Sequence, residues 1–85
     1  MRRVTGGPVE GTTRSWSDDE GWGVLASSDI DGEVWAHFSN IDAAGYRSLK
    51  PGEAVQFTYE TPGQDGYPHR ALRVTASNSI QRRAP

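Results

Sequence analysis

The sequence predicts an all-β domain, a small closed barrel built from five short strands. Its 85 residues include 10 glycines and 5 prolines, a composition that favours short strands and turns over helices. Several segments alternate apolar with polar residues, which is the pattern of strands that bury one face. Because five strands in a flat sheet leave two edges unpaired, closure into a barrel is the arrangement we expect.

Turn residues separate the segments that carry this pattern. The predicted strands are Val9–Trp16, Gly21–Ser27, Glu33–Phe38, Glu53–Glu60 and Tyr67–Thr75. The acidic run Ser17–Glu20 and the Asp31-Gly32 pair mark the first two turns. Ser39–Asp42 is predicted to cap one turn of helix or 3₁₀ helix.

Within each of the last two strands, alternation assigns successive side chains to opposite faces. Val55, Phe57 and Tyr59 form the core-facing set of the fourth strand. In the fifth strand, Leu72 and Val74 are the core residues that we expect.

The length of the chain suits a single domain. We predict that residues 9–75 form the barrel, residues 1–8 a flexible N terminus and residues 76–85 a flexible polar tail. No apolar run approaches the roughly 20 residues of a membrane span, and the arginines at the start lead into no signal-type apolar region. The sequence has no cysteine, which fits the reducing cytoplasm. We also expect the chain to be a monomer.

The residues that usually perform catalysis are sparse. The only histidines, His37 and His69, are 32 positions apart (69 minus 37), and His69 is expected on the surface without a partner. The sequence has no glycine-rich phosphate loop and no nucleophile motif, and its carboxylates lie in turns without metal-ligand spacing. We therefore expect no enzymatic activity, no metal and no small-molecule cofactor.

Two segments place large aromatic residues on neighbouring strands. They are Gly21-Trp22-Gly23-Val24-Leu25 and Val34-Trp35-Ala36-His37-Phe38. In the second, alternation sends Val34 and Ala36 to one face and Trp35 and His37 to the other. If the first pair faces the core, the indole and the imidazole are exposed, and nothing beside Trp22 shields its ring. Exposed aromatic side chains on adjacent strands form a surface on which unpaired bases stack.

The charge of the chain suits weak binding of nucleic acid. The net charge of -2 argues against tight nonspecific electrostatic binding, because phosphate neutralisation supplies much of the affinity of nucleic-acid binders. The basic residues are nearly all arginines, which both stack and bind phosphate. We expect Arg14, Arg47 and Arg70 to meet about two or three phosphates, which predicts a gentle salt dependence.

Several motifs occur in the order known from one protein family. The matching segments are Glu10–Ser17, Glu20–Leu25, Val34–Ser39, Gly45–Leu49 and Pro51–Phe57. The second resembles Lys-Gly-Phe-Gly-Phe-Ile and the third resembles Val-Phe-Val-His-Phe-Ser, the two RNA-contact motifs of the cold-shock domain. The resemblance to this domain, the small OB-fold barrel of bacterial cold-shock proteins, runs from about Glu10 to Val74.

The resemblance implies a five-stranded antiparallel OB-fold barrel that binds single-stranded RNA or DNA across its sheet face. It also implies a role in melting RNA structure or in modulating transcription and translation. Carried over by position, the base-stacking residues are Trp22, Trp35, His37, Phe38 and Tyr46. Trp16 stands where the family has a less exposed phenylalanine, and Arg14 and Arg47 replace lysines near the path of the nucleic-acid backbone.

The chain departs from the family at three positions of this surface. Ser15 replaces an outward tryptophan, Glu20 replaces a lysine, and Val24 replaces the second phenylalanine of its motif. In one interpretation, the strand slips by one residue and Trp16 fills the place of the missing tryptophan. In the other, stacking area and positive charge are lost, which predicts reduced affinity.

A second function remains open from the sequence alone. The same aromatic face, bordered by acidic residues, is also typical of a protein-interaction module with a basic or apolar partner.

Overall fold

A computed structural model of the chain describes residues 4–42 and 48–76. Over these residues the chain forms five strands, which close into a barrel in the order β1-β2-β3-β5-β4. The strands are β1 (Val4–Ser17), β2 (Trp22–Ala26), β3 (Val34–His37), β4 (Ala54–Thr61) and β5 (His69–Ala76). A 3₁₀ turn over Phe38–Asn40 follows β3. The predicted all-β barrel is therefore confirmed.

One strand pairing differs in direction from the rest. The pairs β1–β2, β1–β4, β2–β3 and β4–β5 are antiparallel. The β3–β5 pair is parallel and joins Val34 to His69 and Trp35 to Arg70. The predicted antiparallel OB-fold barrel is therefore present, with this one parallel pair at its closure. The β4–β5 hairpin doubles back, so that β5 runs beside β3 in the same direction and closes the barrel.

In β3 and β4, the core residues lie at the positions that alternation along the sequence predicts. Val34, Ala36 and Val55 are completely buried, and Phe57 is 1% exposed. Tyr59 is partly buried and packs against this core. Burying a valine, leucine or phenylalanine side chain contributes about 1.5–3 kcal/mol, so these inward rows supply the main stabilisation of the barrel.

In β5 the core position shifts by one residue. Thr58 pairs with Arg73, whereas the next residue, Tyr59, pairs with Ala71, so Leu72 is the extra residue of a β-bulge. Ala71 and Val74 are completely buried, and Leu72 is only half-buried. The prediction of Leu72 as a core residue is wrong because the bulge interrupts the two-residue period.

The first strand begins earlier than the sequence predicts. Val4 pairs with Thr61, and Gly6 pairs with Tyr59, so residues 4–8 are strand instead of a flexible terminus. Gly6 suits this pairing because a Cβ there would overlap the hydroxyl of Tyr59. The remaining residues of the predicted termini, 1–3 and 77–85, lie outside the described part of the chain.

His69 has partners that the sequence did not reveal. Its Nδ1 lies 2.8 Å from the Thr61 hydroxyl, and its Nε2 contacts the backbone carbonyl of Asp31. A carbonyl only accepts, so Nε2 carries a proton, and in the neutral ring Nδ1 accepts from the Thr61 hydroxyl. The expectation of an unpartnered surface residue is therefore wrong. His69 joins the turn before β3 to the end of β4 and is half-buried.

Close packing between β1 and β2 depends on Gly23. A Cβ at this position would lie 2.2 Å from the Ser15 carbonyl oxygen and 2.5 Å from the Trp16 ring. The indole of Trp16 therefore packs over Gly23, on the inner side of the sheet, against the core cluster.

We expect Gly23→Ala to lower the free energy of unfolding by about 3 kcal/mol, because the added methyl group forces β1 and β2 apart. Urea-induced unfolding measures this loss. The control is Gly66→Ala, where a Cβ would meet no atom within 4 Å and only the positive φ of +87° opposes it. The control should lose about 1 kcal/mol, and an equal loss in both variants would contradict the packing.

Candidate nucleic-acid interface

The outer face of β2 and β3 carries two pairs of opposed side chains. Trp22 pairs with His37, and Val24 pairs with Trp35. Their neighbours along the strands point into the barrel, where Leu25, Val34 and Ala36 are completely buried. Because side chains alternate along a strand, Trp22, Val24, Trp35 and His37 share the opposite face.

Five aromatic rings form one continuous surface on this face, which we call the aromatic platform; they are Tyr67, Trp22, Trp35, His37 and Phe38. The Trp22 and Trp35 rings are 6.2 Å apart between centroids and inclined by 25°. The Trp35 and His37 rings are 5.8 Å apart and inclined by 16°. These separations are those of offset-stacked rings.

The two ends of the platform have different geometry. Phe38 lies 4.4 Å from His37 at 34°, and Tyr67 meets Trp22 edge-on at 64° and 6.2 Å. Tyr67 belongs to the β4–β5 connection and was not predicted as a site residue. The only sequence feature that marks it is a single large aromatic residue in a polar loop rich in glycine and proline.

Trp35 is less exposed than its position on the outer face suggests. Its side chain is 8% exposed, whereas Phe38 is 45% exposed, and Trp22 and His37 are half-buried. The expectation of an exposed Trp35 indole is therefore wrong. Trp22 and His37 flank Trp35 on the same face and cover much of it. The platform rings that are open to a ligand are consequently those of Trp22, His37, Phe38 and Tyr67.

The backbone fixes Phe38 in place at the end of β3. The Phe38 amide donates to the Gly21 carbonyl at 2.8 Å. Gly21 has a φ of +78°, and a Cβ there would lie 2.7 Å from the Phe38 ring. Glycine is thus required both by the left-handed backbone and by the ring that lies over it.

His37 is oriented by the 3₁₀ turn that follows it. Its Nδ1 accepts from the Ser39 amide at 3.3 Å and lies 2.9 Å from the Ser39 hydroxyl. The His37 amide donates to the Asn40 side-chain oxygen at 3.1 Å. Because Nδ1 accepts from a backbone amide, the neutral ring carries its proton on Nε2. The 3₁₀ turn thus fixes the orientation of the imidazole and leaves its Nε2–H group as a hydrogen-bond donor.

The acidic turn before β2 binds two indoles. The Nε1 of Trp22 donates to Glu20 at 3.0 Å, and the Nε1 of Trp16 donates to Asp18 at 3.1 Å. Asp18 also accepts from the Ser48 hydroxyl at 2.6 Å. The carboxylates of this turn therefore orient rings beside the platform, and they also place negative charge there.

Ser15 and Trp16 occupy opposite faces of β1. Ser15 is exposed and pairs with Val24 on the platform side, whereas Trp16 packs against the core. An irregularity between Thr13 and Ser15 sets this register. Trp16 therefore does not fill the place of the missing outward tryptophan. The side chain that β1 presents opposite Val24 is that of Ser15, which carries no ring.

The predicted phosphate-binding arginines contact carboxylates. Arg14 lies 3.2 Å from Glu33, and both side chains are exposed. Arg70 is the strand neighbour of Trp35 and forms an ion pair with the buried Glu60. The other two predicted site residues, Tyr46 and Arg47, lie outside the described residues.

A shallow depression borders the platform next to Trp35 and His37. Its other lining residues are Ser39, Asn40, Gln64 and Arg70. Their hydroxyl, amide and guanidinium groups are the types that hydrogen-bond to the edges of splayed bases. Across residues 4–42 and 48–76, no cluster of His, Asp and Glu could hold a metal ion, and no helix is long and apolar enough to cross a membrane.

Comparison with known proteins identifies the family. The family model described as the 'cold-shock' DNA-binding domain matches residues 9–76. The chain belongs to the cold-shock domain family. It is 43% identical over 58 residues to cold shock protein ScoF of Streptomyces coelicolor, covering 68% of this chain and 85% of that protein.

A second relative gives the same result. The chain is 37% identical over 57 residues to the cold shock-like protein CspD of Vibrio cholerae, covering 67% of this chain and 74% of that protein. Membership of the cold-shock domain family supports nucleic-acid binding in general terms.

The burial of Trp35 predicts that this residue also stabilises the fold. We expect Trp35→Ala to lower the free energy of unfolding by about 3 kcal/mol, because it removes a large, nearly buried side chain. Trp22→Ala should cost about 1 kcal/mol, since Trp22 is half-buried at the surface. Thermal and urea unfolding measure both losses. Equal, small losses would contradict the covered position of Trp35.

Proposed function

We propose that this chain binds single-stranded RNA or DNA by stacking bases on the aromatic platform. The observation that carries the proposal is the row of nearly parallel rings from Trp22 through Trp35 to His37, on two adjacent strands. Every base has a π face, so stacking on such a surface tolerates many sequences. The site residues are Trp22, His37 and Phe38 as stacking surfaces, with Trp35 as the ring that supports them.

Reduced affinity is part of the proposal. Each stacked base contributes about 1–3 kcal/mol, and Ser15 offers no ring opposite Val24. Glu20, held by the Trp22 indole at 3.0 Å, brings a negative charge next to the path of the strand. Arg14 lies against Glu33, so it adds little net positive charge to that side of the barrel.

The proposed cellular role follows the family. We propose that the chain acts as an RNA chaperone or as a regulator of gene expression. Barrel closure pairs most of the strand edges through which sheets associate, which supports a monomer. A sequence without cysteine fits a reducing compartment such as the cytoplasm.

One observation favours a second candidate function. Phe38 is 45% exposed, and its ring lies over Gly21, directly after the acidic turn whose carboxylates hold the two indoles. An exposed ring near fixed negative charge also fits a basic or apolar protein segment. In this case, oligonucleotides would leave the tryptophan fluorescence unchanged.

The decisive measurement is direct titration of the full chain with oligo-dT and with a mixed-sequence RNA, monitored by tryptophan fluorescence. Stacking on Trp22 is expected to quench the emission. No quenching with either ligand, up to high concentration, would contradict nucleic-acid binding and favour the protein-interaction module.

Trp22→Ala should weaken oligonucleotide binding by about 1–3 kcal/mol, the usual contribution of one stacked base. Anisotropy of a labelled oligonucleotide measures the loss without relying on the tryptophan signal. The control is Thr58→Ala on β4, a strand that does not carry the platform, and its affinity should match the parent chain. Equal affinity for all three proteins would show that the platform is not the binding surface.

Ser15→Trp should strengthen binding by about 1–3 kcal/mol, because the new ring stands on the platform side opposite Val24. Trp16→Ala should instead lower stability, because its indole packs against the core. Anisotropy titration and urea unfolding of both variants separate the two effects. A folded Trp16→Ala protein with weakened binding, together with no gain from Ser15→Trp, would contradict the register described for β1.

A further inference from the structure

The depression beside the platform brings together side chains from four parts of the chain. They come from β3, the 3₁₀ turn, the β4–β5 connection and β5, and they are Trp35, His37, Ser39, Asn40, Gln64 and Arg70. Trp35 and His37 are also rings of the platform. A base stacked on the His37 ring therefore presents its edge to the polar groups of the depression.

The oxygen atoms of the two side-chain amides are already occupied. The Oε1 of Gln64 accepts from the Nη1 of Arg70 at 3.4 Å, and the Oδ1 of Asn40 accepts from the His37 amide at 3.1 Å. A guanidinium group and a backbone amide only donate, so these contacts fix which end of each side-chain amide is the oxygen. The NH₂ group of Gln64, which is an exposed residue, remains a donor for a ligand.

Three further N–H groups at the depression are donors. The Nδ1 of His37 accepts from the Ser39 amide, which leaves the Nε2–H group of the neutral ring. In the part of the chain that the structure describes, the buried Nε1–H of Trp35 and Nε–H of Arg70 have no hydrogen-bond partner. Trp35 is only 8% exposed, and a buried donor without an acceptor costs free energy that a ligand acceptor would recover.

The remaining polar groups do not balance these donors. The Ser39 hydroxyl lies 2.9 Å from the His37 Nδ1, and a hydroxyl both donates and accepts, so it favours neither kind of ligand group. The Glu60 carboxylate pairs with Arg70 and is buried, and Glu60 is not among the residues that line the depression. The side chains of the depression therefore offer a ligand mainly N–H donors.

The bases differ in the exocyclic group that would meet these donors. Guanine carries a carbonyl oxygen at O6, and thymine and uracil carry one at O4, whereas adenine and cytosine carry an amino group at the equivalent position. A carbonyl oxygen accepts from the N–H groups of the depression. An amino group would set donor against donor and leave both without a partner.

We infer that the depression selects keto bases, guanine, thymine and uracil, over the amino bases adenine and cytosine. Gln64 and His37 are the residues that determine this specificity. The inference rests on the proposed function: stacking on the platform supplies affinity for any base, and the depression adds a preference at one nucleotide of the strand. The preference follows the exocyclic group and not the size of the base, so it divides both the purines and the pyrimidines.

The experiment measures anisotropy of labelled strands of about seven nucleotides, within the site sizes of OB folds, that carry one variable base between cytosine flanks. Uracil is compared with cytosine, and hypoxanthine is compared with adenine. Each pair keeps the ring size and exchanges a carbonyl for an amino group. The full chain should bind the keto member of each pair roughly fivefold to tenfold more tightly, the effect of one donor that gains an acceptor.

Gln64→Glu tests whether the depression makes this choice. The carboxylate still pairs with Arg70 but replaces the NH₂ donor by an oxygen acceptor, so the keto preference should shrink to about twofold or less, or reverse. The matched control is Gln56→Glu on β4, which adds the same charge on a strand that carries no platform residue. The control should weaken binding of all four strands equally and keep the preference. Urea unfolding checks that both variants are folded.

Equal affinities within both pairs, or tighter binding of the amino members, would overturn the inference. So would a keto preference that Gln64→Glu leaves unchanged, because the selection would then lie outside the depression. Absence of any Trp22-dependent binding to the four strands would instead overturn the proposed function.

Discussion

The pairing of β2 with β3 is the constraint on which the rest of the structure depends. The register that sets Trp22 opposite His37 and Val24 opposite Trp35 puts Leu25, Val34 and Ala36 into the core at the same time. A shift of one residue would exchange the faces of a strand, exposing the aliphatic side chains and burying the rings. The hydrophobic core and the aromatic platform are thus two results of one hydrogen-bond register.

The sequence predicted those parts of the fold that depend on the two-residue period of strands. Val34, Ala36, Val55 and Phe57 follow it, and each is buried as expected. Leu72 does not, because a bulge in β5 adds one residue. The burial of Trp35 could not be predicted from alternation either, because it depends on neighbouring side chains that cover the indole on its own face. His69 and Tyr67 acquire their partners from distant segments, and local alternation carries no information about such contacts.

Carboxylates near the platform hold aromatic rings in position through hydrogen bonds. Glu20 and Asp18 each hold an indole by its N–H group, and Glu60 lies buried beneath Arg70 beside the platform. The Arg70 side chain is partly exposed whereas Glu60 is buried, so the ion pair fixes the position of Arg70 and satisfies the buried carboxylate. The acidic character of the barrel therefore belongs to the construction of its surface, and a simple exchange of acidic for basic residues would disturb the rings as well as the charge.

The long first strand has a consequence for how the barrel forms. Thr12 pairs with both Ala26 of β2 and Ala54 of β4, and the part of β1 before it pairs only with β4. The β1–β2–β3 meander joins residues that are near in sequence, whereas Val4 and Thr61 are 57 positions apart (61 minus 4). Contacts between distant residues form slowly because a long loop must first close. During synthesis the beginning of β1 emerges first, but it can pair only after β4 has been made. The earliest residues of the barrel are therefore among the last to be ordered.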